Sequence, residues 1–272
     1  MESDPPTDCR DCCVQSAIPT YLSPGLVHGS NRSRQAIELK FLLPIDLANQ
    51  LKARARGELQ FDPFADQVSG QYKVCSLYLD TQSYDIYHRT PATGGAKFRF
   101  RRYDDGRELF LERKLRQQGV VSKLRDPIPL DQLLQLSSLN SAIWSETQTF
   151  GLLPSCAVEY RREAFISEHS DAPFRVTIDN ELSVHRFAQQ GWSEFQDYLS
   201  ATHEDQLSSA SRSLKPLVPN HCVVEFKFMD SLPVQLKRWV EDFQIAPIKF
   251  SKYRTAMKDF IASMEKSVGA TI

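Results

Sequence analysis

From residue 35 onward the chain is a succession of short runs in which charged and apolar residues alternate with a period of two, the spacing of a strand with one polar and one apolar face. The pattern predicts strands over residues 37–43, 72–80, 97–103, 109–115, 120–125, 158–166, 174–178, 182–187 and 221–228. Asp104-Asp105-Gly106 joins two of them as a hairpin, and Asp179-Asn180-Glu181 is read as a second junction. Helical spacing predicts helices over 46–57, with Asp46 as the candidate cap, and over 130–139. Two more are expected over 233–243, with Leu236, Trp239, Val240 and Phe243 on one face behind Pro233, and over 252–264. Residues 189–220, rich in Ser, Gln and Pro, break the rhythm and are read as a loop excursion. Residues 1–34 are expected to be a flexible leader and 265–272 a tail, leaving one domain over 35–264.

Within the strands the charges fall on one face. Glu38 with Lys40, Arg99 with Arg101, Glu112 with Lys114, Lys123 with Arg125, Arg175 with Asp179 and Glu225 with Lys227 all sit an even number of residues apart. The other face carries Leu39, Phe41, Phe98, Phe100, Leu111, Val176, Ile178, Val224, Phe226 and Phe228. A two-layer sheet with its charges in solvent explains any one of these strands. The repetition along the whole chain favours a mainly β, α+β fold in which helices cover the apolar outside of a closed antiparallel β-barrel with a charged lumen.

That placement changes how the composition reads. The 272 residues hold 33 Lys plus Arg and 34 Asp plus Glu, a formal net charge of -1, which excludes a globally basic nucleic-acid binder. No apolar run is long enough to span a bilayer, and the acidic start has no signal-peptide pattern, so a cytoplasmic protein is expected. Cys9, Cys12 and Cys13 crowd the leader without a His or a second pair to complete a metal site, whereas Cys75, Cys156 and Cys222 read as small buried hydrophobes. His88 and His185 have no partner pattern that demands a catalytic role. A lumen crowded with Lys and Arg repels itself unless acids or an anionic ligand compensate, and the ligand that suits it is polyphosphorylated. Glu38, Glu112, Asp179 and Glu225 are hard oxygen donors suited to Mg²⁺ or Mn²⁺ accompanying phosphates.

Nine segments in this order resemble the VTC domain, the polyphosphate polymerase domain of the vacuolar transporter chaperone, within the CYTH-like triphosphate tunnel metalloenzymes. They are IELKF (37–41), SLYLDT (76–81) followed by Tyr84 and Tyr87, KFRFRRY (97–103), LERK (111–114), SKLR (122–125), YRREAF (160–165), RVTID (175–179), VVEFK (223–227) and KFSKY (249–253). The resemblance implies a triphosphate tunnel that transfers the γ-phosphate of ATP to a growing polyphosphate chain and releases ADP, with Mn²⁺ or Mg²⁺. It implies Lys40, Arg99, Arg101, Lys114, Arg162, Arg175 and Lys252 as catalytic residues. Lys123, Arg125, Lys227, Lys249 and Tyr103 are then further binding residues, and Glu225, with Glu38 and Glu112, the metal carboxylates. Arg162 is chosen over Arg161 by its place in the Tyr-x-Arg pattern, and Lys249 and Lys252 are placed together at the start of the last helix.

The triphosphatase branch of that superfamily opens with Glu-x-Glu-x-Lys, and here the first position is Ala36. Fewer acids favour transfer over water activation. ATP and inorganic polyphosphate are the expected partners. No phosphate-sensing or membrane-spanning segment is evident, so a freestanding enzyme, or one tethered through a membrane-protein or regulatory partner, is expected. A tunnel hydrolase, a non-catalytic polyanion-binding module and a structural β protein with internal salt bridges are the competing readings.

Overall fold

The computed structural model describes residues 36–104, 106, 108–117, 120–132, 139–167, 172–187, 191–200 and 214–269. The leader and its three cysteines lie outside the described residues. The elements in chain order are β1 (Ala36–Pro44), α1 (Ile45–Glu58), β2 (Gln60–Phe61), β3 (Gln71–Asp80), α2 (Asp85–His88), β4 (Ala96–Tyr103), β5 (Glu108–Gln117) and β6 (Val120–Pro129). They continue with α3 (Ala142–Thr149), β7 (Leu153–Ser167), β8 (Phe174–Arg186), α4 (Trp192–Ser200), β9 (Lys215–Pro216), β10 (His221–Met229), α5 (Val234–Asp242) and α6 (Lys252–Gly269).

The strands form one antiparallel sheet in the order β1-β10-β8-β7-β3-β4-β5-β6, with β2 added to β7 and β9 to β8. Among the described residues the backbone ladder ends at β1 and β6 without closing, so the sheet is antiparallel with flanking helices as expected but is not the closed barrel expected from the sequence. Pro127 and Pro129 on β6 lack the amide hydrogen a further strand would need, as suits an edge. The sheet curls nonetheless, because Lys114 on β5 reaches Glu38 on β1 at 3.0 Å.

The apolar outer face is covered in two clusters. α1 and α5 set Ala48, Leu51, Ala55, Leu236 and Trp239 against Phe41, Phe165, Val176, Ile178 and Phe226. α3, α4 and α6 set Ile143, Trp144, Phe195, Tyr198, Leu199, Ala256 and Met257 against β3, β4 and β5, where Leu77, Phe98, Phe100 and Leu111 are buried. Burial of this face is what turns the charged face inward.

Several boundaries differ from the sequence reading. Residues 174–186 are one strand, not two: Glu181 takes a left-handed φ of 51°. Two residues there oppose one on β7, so Asp179 keeps facing Arg162 while the strand runs on. The excursion contains α4, whose Phe195 and Leu199 enter the core. α3 was absent from the pattern, and most of the expected 130–139 helix lies outside the described residues. α1 starts at Ile45 behind Pro44 with no side-chain cap, so Asp46 is a first-turn acid and not the cap. Cys75, Cys156 and Cys222 are free and buried.

Candidate functional site

Directly opposed residues in antiparallel strands share a face, so register decides which charges meet. Lys40 opposes Glu225 and Glu38 opposes Lys227; Lys227 in turn opposes Arg175, and Asp179 opposes Arg162. Arg99 opposes Glu112, which opposes Arg125, while Lys114 opposes Lys123. The result is a continuous charged inner face with three carboxylate-centred groups.

In the first, Lys40 is bound to Glu225 and lies 3.5 Å from Glu38, which also holds Lys114. Burial pulls Glu38 up, but Lys114 and Lys40 together outweigh it and hold the carboxyl at about 2. Burial likewise opposes ionisation of Glu225, and Lys40 reverses it, leaving the carboxyl below its ordinary value. In the second, Glu112 is 1% exposed and touches Arg99 at 2.7 Å, Lys123 at 2.7 Å and Arg125 at 3.1 Å. Against the cost of burial, Arg99, Arg101 and Lys123 hold it far below the carboxylate range. Arg125 also stacks on Phe110 at 3.9 Å and donates to the Tyr103 hydroxyl at 2.9 Å.

In the third, Arg162 grips both oxygens of Asp179 at 2.6 and 2.8 Å. Lys252, on the first turn of α6, donates to the same carboxylate at 2.6 Å and lies 4.6 Å from the Tyr160 ring centre. Between the groups, Arg101 donates to Ser76 at 3.1 Å and to Tyr160 at 3.3 Å, and Arg175 pairs with Asp62 at 2.7 Å and Tyr72 at 3.0 Å. Basic groups still outnumber acids, and the excess shows in the titration. Burial first, then Arg99 and Arg101, press Lys123 down to about 8 against the pull of Glu112. Burial pushes the Tyr103 phenol up, but Arg101 and Arg125 outweigh it and lower it to about 7.

Among the described residues no three His, Cys, Asp or Glu side chains converge on a metal position. Glu38 and Glu225 are ionised, partly exposed and linked through Lys40, which fits a divalent ion that takes one or two carboxylates and completes its shell with phosphate oxygens. Glu112 belongs to another group, with its oxygens engaged by three cations.

The residues singled out in the sequence therefore fall on one face, with one placed differently. Lys249 is exposed in the irregular segment before α6, which is tied to β1 by the Ile248 amide on the Lys40 carbonyl, so it is not on the helix with Lys252. Arg161 points outward to Glu181 while Arg162 points inward. Asp62, Tyr72, Ser76 and Tyr160 complete the face and were not singled out; Tyr160 stands in period with Arg162, but Tyr72 and Ser76 lie on β3, whose Lys73 is on the other face, and Asp62 comes from a loop. His185 stacks on Tyr198 and bonds Glu194, outside this face.

No curated protein matches the chain. Among solved structures, it is similar to an adenylyl-cyclase candidate from Hippeastrum with dominant triphosphatase activity, at 15% identity and TM-score 0.49 over 83% of this chain and 96% of that one. It is also similar to PH1819 of Pyrococcus horikoshii OT3, at 12% and 0.46 over 82% and 99%. An adenylate cyclase candidate from Bacillus halodurans stands at 9% and 0.47 over 80% and 94%. With the ordered set of nine segments and this charged inner face stands a match of residues 35–261 to the family model of the VTC domain, and the chain belongs to that family.

Proposed function

We propose that the protein is a polyphosphate polymerase that transfers the γ-phosphoryl group of ATP to the end of a polyphosphate chain. A terminal phosphate oxygen of the acceptor attacks the γ-phosphorus, a new P–O–P link forms, the bond to the β-phosphate oxygen breaks, and ADP leaves. The acceptor oxygen is already ionised, so no general base is needed. The observation that carries the reading is the ownership of the inward acids: Glu112, Asp179, Glu225 and Glu38 are each engaged by Lys or Arg. Such carboxylates are poorly placed to activate water, while the surrounding cations suit the charge that spreads over a transferring phosphoryl group.

Arg99, Arg101 and Arg162 supply planar donors that match phosphate oxygens, and Lys40, Lys114, Lys123, Arg175 and Lys252 supply further charge along the path. Glu225 and Glu38 are the residues that would hold a divalent ion, Mg²⁺ or Mn²⁺, which when bound neutralises phosphate charge and orients oxygens. The curled sheet, drawn together by Lys114 on β5 and Glu38 on β1, serves as the tunnel through which the product slides.

Purified protein incubated with ATP and Mg²⁺ or Mn²⁺ tests this, scored for ADP and for chain length. The expected result is long-chain polyphosphate plus ADP, lost in folded Glu225→Ala and Arg101→Ala. Orthophosphate as the sole phosphate product makes the protein a hydrolase, and ATP turnover at background makes it a binding module.

A further inference from the structure

Three cations stand apart from the carboxylate-centred groups. Lys97, at the start of β4, is half-buried and opposes Lys114, which itself opposes Lys123. Like charges directly across a sheet are destabilising, and of these three Lys97 alone has no acid: Lys114 pairs with Glu38 and Lys123 with Glu112. Arg254, two residues beyond Lys252 on α6, lies 5.3 Å from the Tyr87 ring centre, and its Nε is buried without a hydrogen-bond partner. Arg89 follows α2 in a left-handed conformation that directs the chain out of the helix, and it is exposed. Among the described residues no carboxylate contacts any of the three.

Arg254 lies over Tyr87, two residues before Arg89, so the ends of α2 and α6 that carry these two cations meet. Burial first, then Arg89, Lys114, Arg254 and Arg99, lower Lys97 from its ordinary value to about 8. A fold that holds cations in this way without counter-ions bears a repulsion that an anion relieves.

We propose that Lys97, Arg254 and Arg89 form an additional anion subsite at one end of the charged face, which binds phosphates of a chain too long for the central groups to hold. This rests on the polyphosphate reading and adds a determinant of chain-length preference to it. The subsite draws on a strand end and two helix ends, so it can take up phosphates that have passed the central cations without altering transfer of a short acceptor. Its chemistry is that of a partly desolvated Lys and a stacked Arg, both suited to phosphate oxygens.

The test compares two probes, inorganic triphosphate and long-chain polyphosphate, by titration calorimetry on wild-type protein, Lys97→Gln and Arg254→Gln. Triphosphate affinity is expected to stay within about twofold of wild type, and long-chain affinity to fall about tenfold, as for loss of one charge-assisted contact. Ligand-free Lys97→Gln is expected to melt no lower than wild type, since it loses only repulsion. Equal losses for both probes would place the residues in the central site and overturn the proposal, as would undiminished long-chain binding. A wild-type protein that binds neither probe overturns the polyphosphate reading itself, and this subsite with it.

Discussion

Lys114 donates to Glu38 at 3.0 Å, joining the strand beside one free edge of the sheet to the strand at the other. The pair does by side chains what the backbone does not. Its members are 40% and 28% exposed, so its worth to stability is small, about 0.5 kcal/mol. Lys114→Met is therefore expected to fold with an almost unchanged midpoint in chemical denaturation. Its affinity for triphosphate should fall about tenfold. A large loss of stability would show the pair to be a structural clasp rather than part of a phosphate path.

Glu112 gives the opposite outcome. It is nearly fully buried and holds Arg99, Lys123 and Arg125 together. Glu112→Gln leaves those cations facing one another without their shared anion, at a cost of about 3 kcal/mol. Triphosphate should raise the melting temperature of this variant more than that of wild type, because it replaces the missing negative charge. If Glu112 were instead a metal ligand, adding Mg²⁺ would stabilise wild type and not the variant, with no extra rescue by triphosphate.

Asp80 is buried and accepts hydrogen bonds from the Thr81, Ile86 and Tyr87 amides and from the Tyr253 hydroxyl. It thereby fixes α2 and the first turn of α6, the turn that presents Lys252 to Asp179. Tyr253→Phe removes one donor and should cost about 1 kcal/mol. Asp80→Ala strands three amides and should cost about 3 kcal/mol or more, with weaker triphosphate binding through displaced Lys252. Urea denaturation with parallel triphosphate titration measures both.

Much of this arrangement is written in the sequence because a period of two is a local signal: KFRFR and VVEFK state which side chains share a face without reference to any other strand. Closure is different. It depends on how far the whole sheet curls, and Pro127 and Pro129 mark β6 as an edge only once its neighbours in the sheet are known. Trp192, Phe195, Tyr198 and Leu199 recur at helical spacing, so α4 is legible locally and is lost only when the Ser-, Gln- and Pro-rich segment around it is read as one loop; the bulge at Glu181 resembles a turn in residues alone. Within the site, Lys97 stood in the same period as Arg99 and Arg101. Arg89 and Arg254 carry no periodic mark, since helix ends bring them there through tertiary packing.

The surplus of cations sets a pH signature. Lys97 and Lys123 are lowered from 10.5 to about 8, and Tyr103 from 10.0 to about 7. In each case the unfolded chain binds more protons than the folded one in the interval between the two values, so stability rises with pH there. The rise begins near pH 7, where Tyr103 starts to ionise in the fold. Above pH about 9 it is opposed by Cys156, and above about 10 by Tyr72 and Tyr253, which burial keeps protonated in the fold beyond their ordinary values. Ligand-free protein is thus expected to gain stability from pH 7 to 9, although most small proteins are most stable between about pH 5 and 8. Triphosphate affinity should move the other way, because Lys123 loses its charge as pH passes 8. Melting curves across this range, with and without triphosphate, should converge as pH rises. Curves that stay parallel would remove Lys123 from the phosphate path, and a ligand-free midpoint that falls from pH 7 to 9 would show that the inner cations are not under mutual repulsion.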